Sequence, residues 1–300
     1  MVELGEHCCL SAATNAQNAF YNCYKLTSLP DDFSLINATN CRGIFNFCHA
    51  LTGLPDGFTL PNAITADYAF WETSSLYYIP KTFSLEKANT CYGLFENSGL
   101  TGFISGFSLP NCTDSRYAFE YCKNLKTLSN EFRMPNVVQF QYTFNYCHAL
   151  TGFPDGFTLP KAKASQYAFH QNYSLAKLPN GFSMPNATDL RSCFRECSSL
   201  IEIPDNFCIS SATNVQYMFD SCTALSSFGD NVTIDYSSAK TSENTSLAYS
   251  QIKVIGDNFK WFPHVTKSGT WDASLGAKNL FPNLESIGSG WQIYQHYDGE

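Results

Sequence analysis

The sequence predicts a solenoid of short, stacked, β-rich coils, and three observations predict it. A peptide recurs: CHALTGLPDGFTLP, from Cys48 to Pro61, returns as CHALTGFPDGFTLP, from Cys147 to Pro160, with Leu54 exchanged for Phe153. A phenylalanine keeps time: Phe20, Phe45, Phe70, Phe95, Phe119, Phe144, Phe169, Phe194 and Phe219 follow at 25 residues, with one interval of 24 after Phe95. Around that anchor the apolar residues fall into aligned columns. Self-similarity at a fixed period of this length marks a stack of supersecondary units.

The columns carry the physical argument. Six positions after the anchor, or five in the shortened coil, stands Leu26, Leu51, Leu76, Leu100, Leu125, Leu150, Leu175, Leu200 or Leu225. Three further on is a second apolar residue, such as Leu29, Ile79 or Ile203, and then a second phenylalanine column from Phe33 to Phe207. A small apolar residue, such as Ala38, Val137 or Ala212, precedes the anchor by seven. One coil alone cannot bury six apolar columns, whereas stacked coils cover one another's open faces.

Local signals agree with short elements. In LPDGF and LPNGF the proline presets φ, Asp or Asn bonds the backbone, and Gly supplies a positive φ, which together make a tight reversal. The runs Leu-x-x-Leu-Pro and Phe-x-Leu-Pro suit brief extended segments. With 13 prolines, long helices have no room, and at most one helical turn fits per coil. That turn falls near Tyr-Ala-Phe-x-x-Cys, and the sequence leaves open whether the segment is helical, 3₁₀ or extended.

These residues carry a family likeness. FSMPNATDLRSCFRECSSL (Phe182–Leu200) and SSATNVQYMFDSCTAL (Ser210–Leu225) resemble the Mycoplasma-type repeat of the BspA-like leucine-rich-repeat surface proteins. The likeness spans roughly residues 4–225 and recurs in register in nine coils. The Leu-Pro-x-x-Phe link here replaces a slightly longer Asp/Asn/Ser-rich link in that family. The resemblance implies a leucine-rich-repeat solenoid, β-rich with short strands and turns and at most short helical or 3₁₀ turns per coil. It also implies a cell-surface or secreted location and a role in adhesion or host binding.

Two regions are expected: residues 1–225 as the regular array and residues 226–300 as two or three atypical coils with a C-terminal cap. In the second, Ile252, Ile255, Phe259 and Trp261 revive the spacing, Leu280, Leu284 and Ile287 do so more weakly, and Trp271 and Trp291 add aromatic bulk. A small separate domain is the other reading of that segment. At the start, Leu4 and Cys8 fall in the second-Leu and Phe columns. The chain therefore opens in mid-coil, either as a cut-down stretch of array or with something upstream covering the open end.

Composition narrows the function. A formal net charge of −8, a pI near 5.2 and the absence of any Lys/Arg cluster argue against a nucleic-acid partner. No run of eighteen apolar residues exists, so no segment here inserts into a membrane as a helix. The first residues, MVELGEHCCL, lack the basic start and apolar core of a signal peptide.

Candidate chemistry reduces to repeat chemistry. Cys23, Cys48, Cys122, Cys147, Cys197 and Cys222 share the column three after the anchor, where other coils place Thr73, Ser98 and Asn172. A buried thiol bonding a turn backbone is one reading, disulfides between adjacent coils a second, and metal binding a third with no Cys-x-x-Cys pair to support it. His49 and His148 are equivalent positions four coils apart and read as a repeat echo. Asp31, Asp32, Asp56, Asp155 and Asp205 occupy the turn slot and cap it. The sequons at Asn37, Asn111, Asn172, Asn186, Asn231 and Asn244 are by-products of the pattern unless the chain is exported and glycosylated. With no phosphate loop, nucleophile elbow or cofactor motif, the chain reads as a non-enzyme without cofactor or metal.

Binding belongs where the columns vary and are exposed. The two positions after the anchor hold Tyr21, Phe47, Trp71, Tyr121 and Tyr146 in some coils and Glu72, Gln171 or Asp220 in others. Between the two Leu columns lie Tyr77, Tyr78, Lys126, Lys177 and Glu202. Tyr21, Phe47, Trp71, Tyr77, Tyr78, Tyr121 and Tyr146 are therefore the expected contacts for a protein or glycan ligand, aromatic rows with few charges suiting such surfaces. A further column, Tyr68, Tyr117, Tyr142, Tyr167 and Tyr217, reads as rim packing between coils. An intracellular protein-interaction scaffold is the alternative function.

Overall fold

The structure is a computed structural model that describes residues 4–5, 10–103, 106–235, 252–262, 264–265, 283–289, 291–293 and 296–297. Readings that rest on Cys8, Asn244, Trp271 or Leu280 lie outside those residues. The chain divides into two compact units, Met1–Leu150 and Thr151–Glu300.

In the first unit the anchor phenylalanines form one interior row. Phe45, Phe70, Phe95, Phe119 and Phe144 are fully buried, and neighbouring rings stack at 5.6, 5.1, 5.8 and 4.9 Å. The second column, Phe33, Phe58, Phe83, Phe107 and Phe132, stacks in parallel at 5.8–6.1 Å. Between the columns the rings meet edge to face, as in Phe45–Phe58 at 6.1 Å and 66°. Each coil thus sets a ring above and below its neighbour's, the two arrangements aromatic quadrupoles favour. The second unit repeats the scheme with Phe169, Phe194 and Phe219 at 5.0 and 5.4 Å.

The segment around the anchor is neither helix nor strand. It is a run of linked reverse turns: Ala19 N–H donates to Ala16 O, Tyr21 to Asn18 O and Cys23 to Phe20 O. The intervening N–H groups cross to the next coil, Ala16 to Asn40 O, Asn18 to Arg42 O, Phe20 to Ile44 O and Asn22 to Asn46 O. In each of the nine coils the residues two before and two after the anchor are left-handed. Examples are Asn18 and Asn22 (φ 54° and 60°), Tyr68 and Glu72 (56° and 58°) and Tyr142 and Tyr146 (57° and 61°). That conformation costs an L-residue about 1–2 kcal/mol, and the crossed hydrogen bonds and ring stacks hold it in place. Period alone cannot reveal this geometry, because only Gly43, Gly93 and the asparagines announce it in the sequence.

Strands are few in the regular coils. In the first unit, pairing shrinks to single-residue parallel bridges, such as Asn15↔Asn40↔Thr65↔Thr90 and Gly53↔Tyr78. Pro61, Pro110, Pro135, Pro160 and Pro185 follow the last apolar column and lack the N–H a ladder needs. Ser210 and Asp235 take that slot later, beside strands β2 (Cys208–Ile209) and β4 (Thr233–Asp235), while β1 (Glu202–Ile203) and β3 (Ser227–Phe228) form at the preceding apolar column. They are followed by β5 (Val254–Ile255), β6 (Lys260–Phe262), β7 (His264–Val265), β8 (Ser286–Ile287), β9 (Gln292–Ile293) and β10 (His296–Tyr297). These form parallel sheets in the orders β1-β3-β5-β8 and β2-β4-β6-β9, with β7 pairing β10. Phe228 registers with Ile255 and Ile255 with Ile287, so the columns continue into wider coils.

A turn ladder marks these later coils. Asp230 N–H donates to Asp205 Oδ1 at 2.8 Å, Asp257 N–H to Asp230 Oδ1 at 2.8 Å and Ser289 N–H to Asp257 Oδ1 at 2.6 Å. Beside it, Asn231 donates to Asn206 Oδ1 at 3.3 Å and Asn258 to Asn231 Oδ1 at 3.1 Å. Gly229 and Gly256 stand where a Cβ would meet those aspartate oxygens at 2.4 and 2.5 Å.

The described cysteines are free thiols. Five of the column donate to the preceding coil's anchor carbonyl: Cys48 to Phe20, Cys122 to Phe95, Cys147 to Phe119, Cys197 to Phe169 and Cys222 to Phe194, at 3.0–3.1 Å. Thr73 and Asn172 satisfy their own coil's anchor carbonyl instead.

Candidate functional site

The expected contact residues separate into three places. Tyr21, Phe47 and Trp71 form a continuous row, with ring centroids 5.9 Å apart for Tyr21–Phe47 and 5.0 Å for Phe47–Trp71. Tyr121 and Tyr146 stack as a pair at 4.5 Å. Tyr77 and Tyr78 lie apart from both, six and seven residues past Trp71, beside a cavity of about 340 Å³. Tyr21 and Tyr77 are more than half exposed; Phe47, Trp71, Tyr78 and Tyr146 are half-buried.

The rows face outward because of the turn backbone. Phe47, Tyr121 and Tyr146 are left-handed residues (φ 58–61°), and Phe47 N–H donates to Trp71 O and Tyr121 N–H to Asn145 O in the next coil, both at 2.9 Å. His49 packs beside Phe47 at 5.7 Å, and His148 beside Tyr146 at 5.8 Å, so the two histidines occupy matching surroundings.

Between the two aromatic clusters lies an acidic stretch that the sequence reading registered only at Glu72. Glu72, Glu96 and Glu120 fall in three consecutive coils of the same variable positions. Asn97 Nδ2 donates to Glu72 Oε2 at 2.8 Å and Asn145 Nδ2 to Glu120 Oε1 at 2.6 Å. Burial, then the charges of Glu120 and Glu72, pushes Glu96 up to about 7, with the Trp71 indole acting in the opposite direction. The indole N–H is itself buried without a well-aligned acceptor. Burial likewise pushes Glu120 up to about 7, against the Asn145 hydrogen bond. Comparing columns coil by coil, not searching for motifs, is the signal that finds these acids.

The tyrosine column packs along the rim. Tyr68–Tyr92, Tyr92–Tyr117 and Tyr117–Tyr142 follow at 5.0–5.1 Å, with Arg42 over Tyr68 and Arg116 over Tyr92. Where the column holds Gly43, Gly93 or Ser192, the preceding residue is Arg42, Tyr92 or Arg191 and supplies the bulk. A Cβ on Gly93 would come within 2.9 Å of the Tyr68 ring.

The cavity is lined by Tyr77, Tyr78 and Ile79 from one coil, Thr101, Gly102 and Phe103 from the next, and Thr127 from the third. Sequence reading found the two tyrosines and missed the threonines and Gly102, which are ordinary repeat residues. Among the described residues no group of three or more His, Cys, Asp or Glu is placed to hold a metal ion. No helix among them is long and apolar enough to cross a membrane.

No curated protein matches the chain. Among solved structures, it is similar to a leucine-rich repeat protein from Bacteroides ovatus, with 18% identity, covering 99% of this chain and 88% of that one, at a TM-score of 0.35. It is also similar to a leucine-rich cell surface protein from Faecalibacterium prausnitzii, with 16% identity, coverage of 95% and 69%, and a TM-score of 0.32. A leucine-rich repeat protein from Eubacterium ventriosum shows 13% identity, coverage of 98% and 89%, and a TM-score of 0.28. Stacked repeats of this kind present extended surfaces used for protein interaction. The family described as "Mycoplasma protein of unknown function, DUF285" matches residues 52–157, 89–232 and 163–251, and this chain belongs to it.

Proposed function

We propose that the chain is a non-enzymatic recognition module of the cell surface, binding a protein or glycan through the exposed aromatic positions of its first unit. One observation carries the reading: rings at the variable positions after the anchor line up across adjacent coils, as in Tyr21–Phe47–Trp71 and Tyr121–Tyr146, without entering the core. Interior packing uses the phenylalanine columns, so the outer rows have no equivalent structural duty. Clustered aromatic side chains are the usual carriers of binding energy at interfaces.

The test uses the full chain on immobilised extracellular-matrix proteins and a glycan array. Replacing Tyr21, Phe47 and Tyr121 together by Ser is expected to weaken binding about tenfold or more, since anchors of this kind each contribute about 1 kcal/mol or more. Unchanged binding by the triple variant, with an unchanged thermal midpoint, overturns the reading.

A second reading, an intracellular interaction scaffold, is favoured by the free thiols, because reducing compartments keep cysteines unpaired. Electrophoresis with and without reductant, plus thiol counting on protein from its native source, separates the two. Inter-coil disulfides support the surface, and a full set of thiols supports the cell interior.

A further inference from the structure

We propose that the cavity beside Tyr77 and Tyr78 binds a pyranose ring of a neutral saccharide, which deepens the recognition reading above and rests on it. The starting point is a departure from the repeat. At these two positions the neighbouring coils carry Thr52–Gly53 and Thr101–Gly102, and of the nine coils only this one carries aromatic residues there. Core packing does not call for them, since Tyr77 is 58% exposed.

The flanking coils are fitted to the tyrosines. On one side, Gly53 pairs with Tyr78 across a parallel bridge, and a Cβ on Gly53 would sit 3.3 Å from Tyr78 Cβ and 3.4 Å from its ring. The Tyr78 hydroxyl donates to Asp56 Oδ1 at 2.7 Å, which fixes the ring before any ligand arrives and lowers the ordering cost of binding. On the other side, Gly102 leaves open the space where a Cβ would come within 2.9 Å of Thr127 Oγ1. The resulting cavity, about 340 Å³, lies at the lower end of the roughly 300–1,000 Å³ range of small-ligand sites.

The lining chooses the ligand class. The wall combines two tyrosines, the buried apolar residues Ile79 and Phe103 and the hydroxyl-bearing Thr101 and Thr127, and it contains no charged residue. An anionic ligand has no cation to meet it here. A pyranose offers C–H groups on one face for an aromatic ring and equatorial hydroxyls at its edge for threonines. An extended peptide would need unpaired backbone at a sheet edge. On their outer flanks these coils are already paired: Tyr77 N–H donates to Thr52 O at 3.1 Å, Lys126 N–H to Thr101 O at 2.9 Å, and Gly102 bridges Thr127, so those groups are not open to a peptide.

The experiment is saturation-transfer NMR with the full chain against cellobiose, lactose and diacetylchitobiose, with sialyllactose as the charged comparison. At least one neutral disaccharide is expected to receive saturation at its ring C–H protons. Tyr77→Ala and Thr127→Val, both at exposed positions, are each expected to weaken it about fivefold or more, the loss of one stacking or hydroxyl contact being about 1 kcal/mol. Tyr24→Ala, exposed and remote in sequence, is expected to leave it unchanged. No transfer from any neutral disaccharide overturns the proposal, as does stronger binding of sialyllactose. Loss of saccharide binding in Tyr121→Ala with Tyr77→Ala unaffected also overturns it, while leaving recognition by the aromatic rows standing. Matrix-protein binding that is sensitive to the row variant but not to Tyr77→Ala, with no saccharide bound, overturns the saccharide site alone.

Discussion

The Cys48 thiol donates to the carbonyl oxygen of Phe20, 28 residues earlier, at 3.1 Å. The bond ties one coil's turn to the anchor of the coil before it, and it recurs down the column. Burial pushes the thiols of Cys41, Cys48, Cys122 and Cys222 up to about 12. Thiolate is the reactive species, so these groups are inert in the folded state. A thiol-specific chromogenic reagent at pH 8 is expected to modify, among the described cysteines, only the half-buried Cys23 and Cys208, and all of them after unfolding. Rapid labelling of Cys147 or Cys197 in native protein contradicts this.

Stability is expected to fall as the pH rises through neutrality, because of Glu96 and Glu120. Both have folded-state values raised from 4.5 to about 7. Their neutral forms therefore favour the folded state. That contribution is complete below about pH 4.5 and lost as the pH passes 7. At about 1.36 kcal/mol per pK unit, discounted for partial solvent access, the two together contribute on the order of a few kcal/mol. The pair of substitutions Glu96→Gln and Glu120→Gln is expected to flatten urea-unfolding stability between pH 5 and pH 8, raising it mainly at pH 8. An equal shift at both pH values contradicts the assignment.

Gly229→Ala and Gly181→Ala test two different reasons for glycine. At Gly229 a Cβ would meet Asp205 Oδ1 at 2.4 Å and Asp205 N at 2.7 Å, a steric conflict with backbone, expected to cost about 1–3 kcal/mol. At Gly181 nothing lies within 4 Å but φ is +74°, so only backbone strain of about 1 kcal/mol is expected. Chemical denaturation of both variants, with Gly229→Ala the less stable, checks the order.

Ser221→Gly is expected to stabilise the protein by about 0.5–1 kcal/mol, because Ser221 is exposed and left-handed and glycine adopts that backbone without a Cβ penalty. Its φ is 60°. Ser221→Ala is expected to give no gain. Equal stabilities for the two variants would mean that the crossed hydrogen bonds, not the side chain, set the whole cost.

The phenylalanine rows and the buried leucines are legible in the sequence, because burial imposes one residue type per column and nine copies repeat it. The cysteine column is half legible: Thr73, Ser98 and Asn172 point to a polar, bonding role, but only coordinates show whose carbonyl is met. The turn geometry is hidden, since Tyr117, Tyr142, Glu72 and Gln171 disguise positions at which glycine would have declared a positive φ. At the candidate site the odd residues, Tyr77 and Tyr78, stand out against their column. Thr101, Gly102 and Thr127 do not, because they match the repeat and become special only by lying beside the tyrosines.

The left-handed residues flanking each anchor carry a consequence for how such surfaces change over generations. Their conformation is imposed by amide groups handed from one layer to the next, as in Asn22 to Asn46 O and Glu72 to Glu96 O, so it does not depend on which side chain is attached. Phe47, Glu72, Asn97, Tyr121 and Gln171 all adopt it. The outward letters are thus decoupled from the scaffold that displays them, and mutation is free to rewrite them one layer at a time while the interior stays untouched.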